Sequence, residues 1–159
     1  MTRLPLTVAV SVYDRTYPLM TGAVQPEGID LNVIPLAVEE IFWRQNRYEE
    51  FDASELSGTV YHVERSRPNP RFIAVPVYLS RTFRHNAIYV HAGSGIERPQ
   101  DLIGRRVGIP EYSVTAATWI RGFLQHDYGV HPSQIRWMTG GEERPGREEI
   151  GRASCRERV

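Results

Sequence analysis

Stretches of strand character and stretches of helical spacing take turns along this chain. That alternation is its strongest constraint on fold. Val8, Val10 and Val12 alternate with smaller residues, so 6–13 reads as a strand. A short helical stretch, 16–23, follows, and 25–28 is a turn in which Pro26 and Gly28 supply the needed dihedrals. Residues 29–36 alternate apolar and polar, a second strand. In 38–51 Ile41, Phe42, Gln45 and Tyr48 recur at helical spacing. A short strand within 51–57 runs into a Ser/Gly turn, 59–65 is helical, and Pro68 and Pro70 make 66–71 a loop. Residues 72–79 form the most hydrophobic strand candidate, interrupted by Pro76. A polar connector, 80–86, leads to another strand, 87–91. Then come a short helix at 99–102 closed by Gly104, a strand at 106–110, and a helix from N-cap Ser113 to Tyr128 with Gly129 at its C′ position. A last strand occupies 135–138. Such alternation predicts an α/β fold with a mostly parallel sheet. The connector 80–86 reads as a hinge between two lobes, and 106–138 as the start of a second sheet. No internal repeat is present.

Composition narrows the chemistry. All 19 basic residues are arginine, which excludes a Schiff-base lysine, a pyridoxal-phosphate anchor and a phosphate-loop lysine. With 19 acidic residues the formal net charge is zero, so the positive field that nucleic-acid binding needs is missing and no nucleic-acid partner is expected. A single cysteine excludes a disulfide framework and a multi-cysteine zinc site. His62, His91, His126 and His131 show no metal-ligand spacing, and no Gly-x-Gly-x-x-Gly dinucleotide fingerprint occurs. The first apolar stretch is broken by Pro5, Thr7 and Ser11 and resembles no secretory signal. No segment approaches the roughly 20 apolar residues of a membrane span. A cytoplasmic protein without a membrane partner is the expectation. The last ten residues, 150–159, carry three arginines and the cysteine without helical or strand period. They look like translated adapter DNA joined to a truncated gene, and Cys155 is given no chemical role.

In open α/β sheets ligands bind beyond the carboxyl ends of strands. Five segments qualify: Tyr13–Arg15, Glu55–Gly58, Ser80–His85, Pro110–Ser113 and Thr139–Gly141. The third packs Arg81, Phe83, Arg84 and His85 together. Arginine holds planar carboxylates bidentately and stacks on rings, and histidine exchanges a proton near neutral pH. Glu111, Tyr112 and Ser113 precede a helix N-terminus, where free N–H groups favour an anion. The set suits an aromatic or acidic small molecule. The same residues also have plainer readings. Arg81 and Arg84 are suited to surface ion pairs, His85 to an ordinary hydrogen bond, and Ser113 to a helix cap. Trp119, Ile120 and Phe123 read as core.

At these same segments the sequence resembles a known family. The strings YDRTYPLMTGAVQPEGIDL, EFDASELS, SRTFRHNAIYVHAGSGIERPQDLIGRRVGIPEYSVTAATWIRGFLQHDYGV and WMTGGEERPGREE resemble the 4,5-dihydroxyphthalate decarboxylase family, among proteins similar to type 2 periplasmic solute-binding proteins. The likeness runs over nearly all of 6–149 and breaks off at Ile150. It implies a two-lobed α/β fold with a ligand cleft, here truncated. Residues 1–84 would be the first lobe, 85–149 the hinge and beginning of the second, and 150–159 a non-native tail. It also implies decarboxylation of an aromatic dicarboxylate or, alternatively, solute binding for an uptake system. The reaction must hold two carboxylates, deliver one proton to the ring and desolvate the departing carboxylate. The roles that follow give Arg81 and Arg84 the carboxylates and His85 or Glu111 the proton. Tyr13, Phe83 and Tyr112 line the ring, and Asp14 and Arg15 contact a ring hydroxyl or each other. Ser57, Ser113 and Thr139 complete the binding set. This scheme requires no cofactor and no metal.

Overall fold

The structure, a computed structural model, describes residues 2–140. The expected tail and Gly141 lie outside the described residues. Among the described residues, 2–57 with 63–81 make one compact unit, and 58–62 with 82–140 the other.

The first unit holds a three-stranded parallel sheet in the order β2-β1-β3. Strand β1 (Leu4–Val10) is central. It pairs with β2 (Ile29–Pro35) from Leu4↔Ile29 to Val10↔Pro35, and with β3 (Ala53–Ser54) through Val8↔Ala53 and Ala9↔Ser54. Between β1 and β2 lies the short α1 (Tyr17–Met20), and between β2 and β3 lies α2 (Val38–Tyr48). Ala9, Ile41 and Phe51 form the buried core, with Ile34 and Leu36 packed on it. Helix α2 carries Glu39 and Glu40 in its first turn and Arg47 in its last, each charge favourable toward the helix dipole. It stops at Tyr48, three residues before the expected end, because Glu49 turns left-handed (φ 52°). Buried Gln45 then holds Phe51 from both sides. Its Nε2 donates to the Phe51 carbonyl (3.2 Å) and its Oε1 accepts the Phe51 amide (3.0 Å), which directs that ring into the core.

Helix α3 (Gly58–Arg65) ends in a buried ion cluster. Glu64, 2% exposed, accepts Arg71 Nε (3.0 Å) and NH2 (2.8 Å), and pairs with Arg67 (2.5 Å). Arg71 also donates to the Asn46 carbonyl (3.0 Å) and pairs with Glu49 (3.2 Å). One guanidinium thus ties the Pro-rich loop 66–71 to α2.

Neither strand expected at 72–79 and 87–91 forms. An apolar run becomes a strand only where another strand lies alongside to fill its hydrogen bonds. Pro76 removes a donor from the first run, and the Val77 amide bonds the Val75 carbonyl locally instead (2.7 Å). Ile73 is left 89% exposed and Tyr89 88%.

The second unit pairs β4 (Arg106–Ile109) with β5 (Arg136–Thr139) in parallel, from Arg106↔Arg136 to Ile109↔Thr139, with α4 (Thr115–His126) between them. Leu102, Leu124, Val130 and Ile135 are its core, and Val107, Ile120 and Trp137 pack against them. The expected helix at 99–102 is a 3-10 turn, Pro99–Leu102, in which Asp101 accepts the Glu97 and Arg98 amides. Those amides and Arg98 hold the Asp101 carboxyl below its ordinary range. Helix α4 is capped by Val114, without a side-chain cap, so Ser113 stands one residue outside the cap position expected of it. Asp127 is the C-cap, and Gly129 takes the left-handed conformation (φ 69°) two residues later, turning the Val130 amide back onto the Leu124 carbonyl (2.7 Å). Of the expected core positions on this helix, Ile120 packs inward, but Trp119 is exposed, because Ala117 and Leu124 define the buried stripe.

Candidate functional site

Two groups of polar residues gather at strand carboxyl ends, one in each unit. In the first unit the chain leaves β1 at Val10 and turns sharply. Buried Thr16 fixes that turn: its Oγ1 donates to the Ser11 carbonyl (2.9 Å) and accepts the Tyr13 amide (3.0 Å). Tyr13, Asp14 and Arg15 are thereby brought together. Glu55, buried at the end of β3, accepts the Ser11 amide on Oε1 (2.5 Å) and the Tyr13 hydroxyl on Oε2 (2.9 Å). Burial, then the hydrogen bond to Glu55 and its charge, raise the Tyr13 phenol above its ordinary pKa, and the Ser80 and Ser11 hydroxyls act in the opposite sense. The Arg15 guanidinium lies 5.2 Å from the Tyr13 ring centroid. It donates to the Leu79 carbonyl (2.7 Å) and pairs with Asp14 (3.6 Å). Ser57, also buried, follows directly before α3.

In the second unit Glu111, Tyr112 and Ser113 follow β4, and Thr139 ends β5. Arg121 folds back from α4 over this loop. Its Cζ is 3.7 Å from the Tyr112 ring centroid, NH1 donates to the Tyr112 carbonyl (2.8 Å) and NH2 to Thr118 Oγ1 (3.2 Å). Tyr112 meets Trp137 edge-on at 6.5 Å. The first residues of α3 and α4 are neighbours: a Cβ built on Gly58 falls 3.7 Å from Thr115 Oγ1.

The arginine–histidine segment is arranged differently. Arg81 is exposed and donates Nε to the Tyr78 carbonyl (3.1 Å), and Phe83 is 85% exposed. Half-buried Arg84 precedes the 3-10 turn His85–Ala87. His85 stacks on Phe123 (3.9 Å between centroids, 7° between planes), with Nε2 4.0 Å from Asp127. It borders a cavity of about 230 Å³ lined by Ile88, Leu102, Phe123, Leu124 and Tyr128. Phe123 and Asp127 belong to the C-terminal part of α4, whereas Glu111 precedes its first turn. His85 and Glu111 thus stand toward opposite ends of a helix about 18 Å long at 1.5 Å per residue. Reasoning from sequence assigned no role to Glu55, Ser80 or Arg121. Glu55 and Ser80 lay within segments selected by the strand-end rule, whereas nothing local marked Arg121. Among the described residues no group of three or more His, Cys, Asp and Glu stands close enough to hold a metal ion. No described helix is long and apolar enough to cross a membrane.

Comparison with known proteins bears on the whole of this arrangement. The chain is 46% identical over 149 residues, 94% of its length, to a 4,5-dihydroxyphthalate decarboxylase of Comamonas testosteroni. It is 44% identical over the same share to a 4,5-dihydroxyphthalate decarboxylase of Pseudomonas putida. The chain is similar to these decarboxylases. It spans about half the length of the curated relatives it matches, 45% of the first and 58% of the second. Residues 77–144 match the family described as NMT1/THI5 like. That match takes in Arg81, Phe83, Arg84, His85, Glu111, Tyr112, Ser113 and Thr139, whereas the Tyr13–Arg15 turn and Ser57 precede it.

Proposed function

We propose that this protein removes one carboxylate, as CO₂, from an aromatic dicarboxylate of the 4,5-dihydroxyphthalate type, in aromatic catabolism. The observation that carries this reading is identity of 46% and 44%, over 94% of the chain, with two proteins of that name. The polar groups at the strand ends suit such a ligand. In the proposed fold, two-lobed and like the type 2 periplasmic binding proteins, 1–84 form the first lobe and 85–149 the hinge and start of the second.

In the reaction the bond between ring carbon and carboxylate breaks, and its electron pair stays on the ring. CO₂ leaves, a proton bonds to that carbon, and a dihydroxybenzoate remains. Ring hydroxyls supply electron density to the carbon that accepts the proton. Arg81 and Arg84 hold the carboxylates, and Tyr13, Phe83 and Tyr112 line the ring. His85 or Glu111 delivers the proton. Because they lie toward opposite ends of α4, they are alternatives and not a pair.

Turnover of 4,5-dihydroxyphthalate by the intact protein and by Arg81→Ala and Arg84→Ala tests the reading. A loss of kcat/KM of about 100-fold is expected in each, the order of a lost charged contact. Unchanged turnover contradicts the arginine roles. Saturable binding without CO₂ release contradicts the enzyme and points to solute capture.

A further inference from the structure

We propose that Tyr13 and Glu55 act as a pair that recognises a hydroxyl group on the ligand's ring, an inference that rests on the aromatic-acid reading above. The Glu55 carboxylate offers only acceptors, and one oxygen takes the Ser11 amide while the other faces the Tyr13 hydroxyl. The phenol is therefore the donor in that bond. It has a single proton, and with that proton committed to Glu55 its oxygen presents lone pairs alone. A ligand carboxylate or carbonyl gains nothing from such an oxygen, but a ligand hydroxyl donates to it.

The surroundings hold the pair in this state. Thr16 is buried and fixes the turn on both sides of Tyr13, so the ring has no inexpensive way to re-aim. Arg15 lies over the ring and is anchored to the Leu79 carbonyl, which puts a cation for a carboxylate beside an acceptor for a hydroxyl. The Ser11 and Ser80 hydroxyls both lower the Tyr13 pKa, but Ser11 Oγ gives its one proton to the Leu36 carbonyl (3.0 Å), which leaves exposed Ser80 as the partner a ligand hydroxyl replaces. Glu55 touches no ligand in this arrangement. It is a positioning residue that works through Tyr13.

Calorimetric dissociation constants of 4,5-dihydroxyphthalate and of unsubstituted phthalate, measured on the intact protein, test the pair. The unaltered protein is expected to prefer the dihydroxy ligand by about tenfold or more, the value of one well-placed hydrogen bond. Tyr13→Phe is expected to erase that preference by weakening the dihydroxy ligand alone, and Glu55→Gln to reduce it. A merely structural role would weaken both ligands together. Dihydroxy preference retained in Tyr13→Phe, or an equal loss for both ligands, overturns the pair and leaves the aromatic-acid reading standing. Binding of neither ligand by the unaltered protein overturns both.

Discussion

At Tyr13 a half-buried phenol donates its proton to a buried carboxylate, and this has a direct spectroscopic consequence. Burial first, and then Glu55, hold the phenol above its ordinary pKa. The ionisation of Tyr13, isolated at 295 nm as the difference between the protein and Tyr13→Phe, is expected to begin at higher pH than that of a free tyrosine. Replacing Glu55 with Gln is expected to bring it down, since the hydrogen bond to the anion and its charge both disappear. Titration unchanged by Glu55→Gln would mean that the two side chains do not meet in solution. Sequence pointed to Tyr13, Asp14 and Arg15 because they follow directly on a clear strand. It singled out the segment beginning at Glu55 but gave that residue no role, because β3 is two residues long and offers too little alternation to show which side chains turn inward. Arg121 left no trace in local pattern. Its contact with Tyr112 exists because α4 returns over the loop that precedes it.

Elements came through where the pattern carried its own partner. The valine alternation of β1 and the helical spacing of α2 each marked a real element, although the face of β1 that meets Ile41 is that of Ala9, opposite Val8 and Val10. The runs at 72–79 and 87–91 were read as strands from their apolar character but have no neighbouring strand, and hydropathy alone does not supply one. At this scale the Glu64–Arg71 pair is the contact most open to test. Arg71 holds the Glu64 carboxyl below its ordinary range, as burial opposes it. A folded-state pKa below the unfolded one gives stability that is present above the unfolded value and lost as pH falls through the folded one. Glu64→Gln is expected to cost about 3 kcal/mol at neutral pH, since it leaves Arg71 short of its main partner. It should also flatten the acid limb of a stability-against-pH curve from urea denaturation. An acid limb identical in the two proteins would show that Glu64 gains nothing from Arg71. In the second unit Leu124→Ala is expected to cost about 3 kcal/mol by the same measurement, because the side chain is fully buried among Leu102, Val130 and Ile135. A cost below about 1 kcal/mol would mean that this cluster is not a packed core.

For the molecule as a whole, the exposed apolar row weighs against solubility. Ile73, Val75 and Val77 stand out from an unpaired stretch, the kind of surface that associates. Ile73→Thr combined with Val77→Thr is expected to raise the solubility of the 159-residue chain without lowering its melting temperature. A lower melting temperature would show that these side chains are packed in solution. The missing lysines matter at this scale too, because within this sequence a permanent cation for a carboxylate ligand is an arginine. Arg15 and Arg121 already lie over aromatic rings at strand ends, in company with residues suited to an aromatic acid. The central proposal is decarboxylation. Its most direct test is release of labelled CO₂ from carboxyl-labelled 4,5-dihydroxyphthalate by the intact protein. One CO₂ released for each dihydroxybenzoate formed is the expected result, and consumption or saturable binding of the ligand without labelled CO₂ would contradict it.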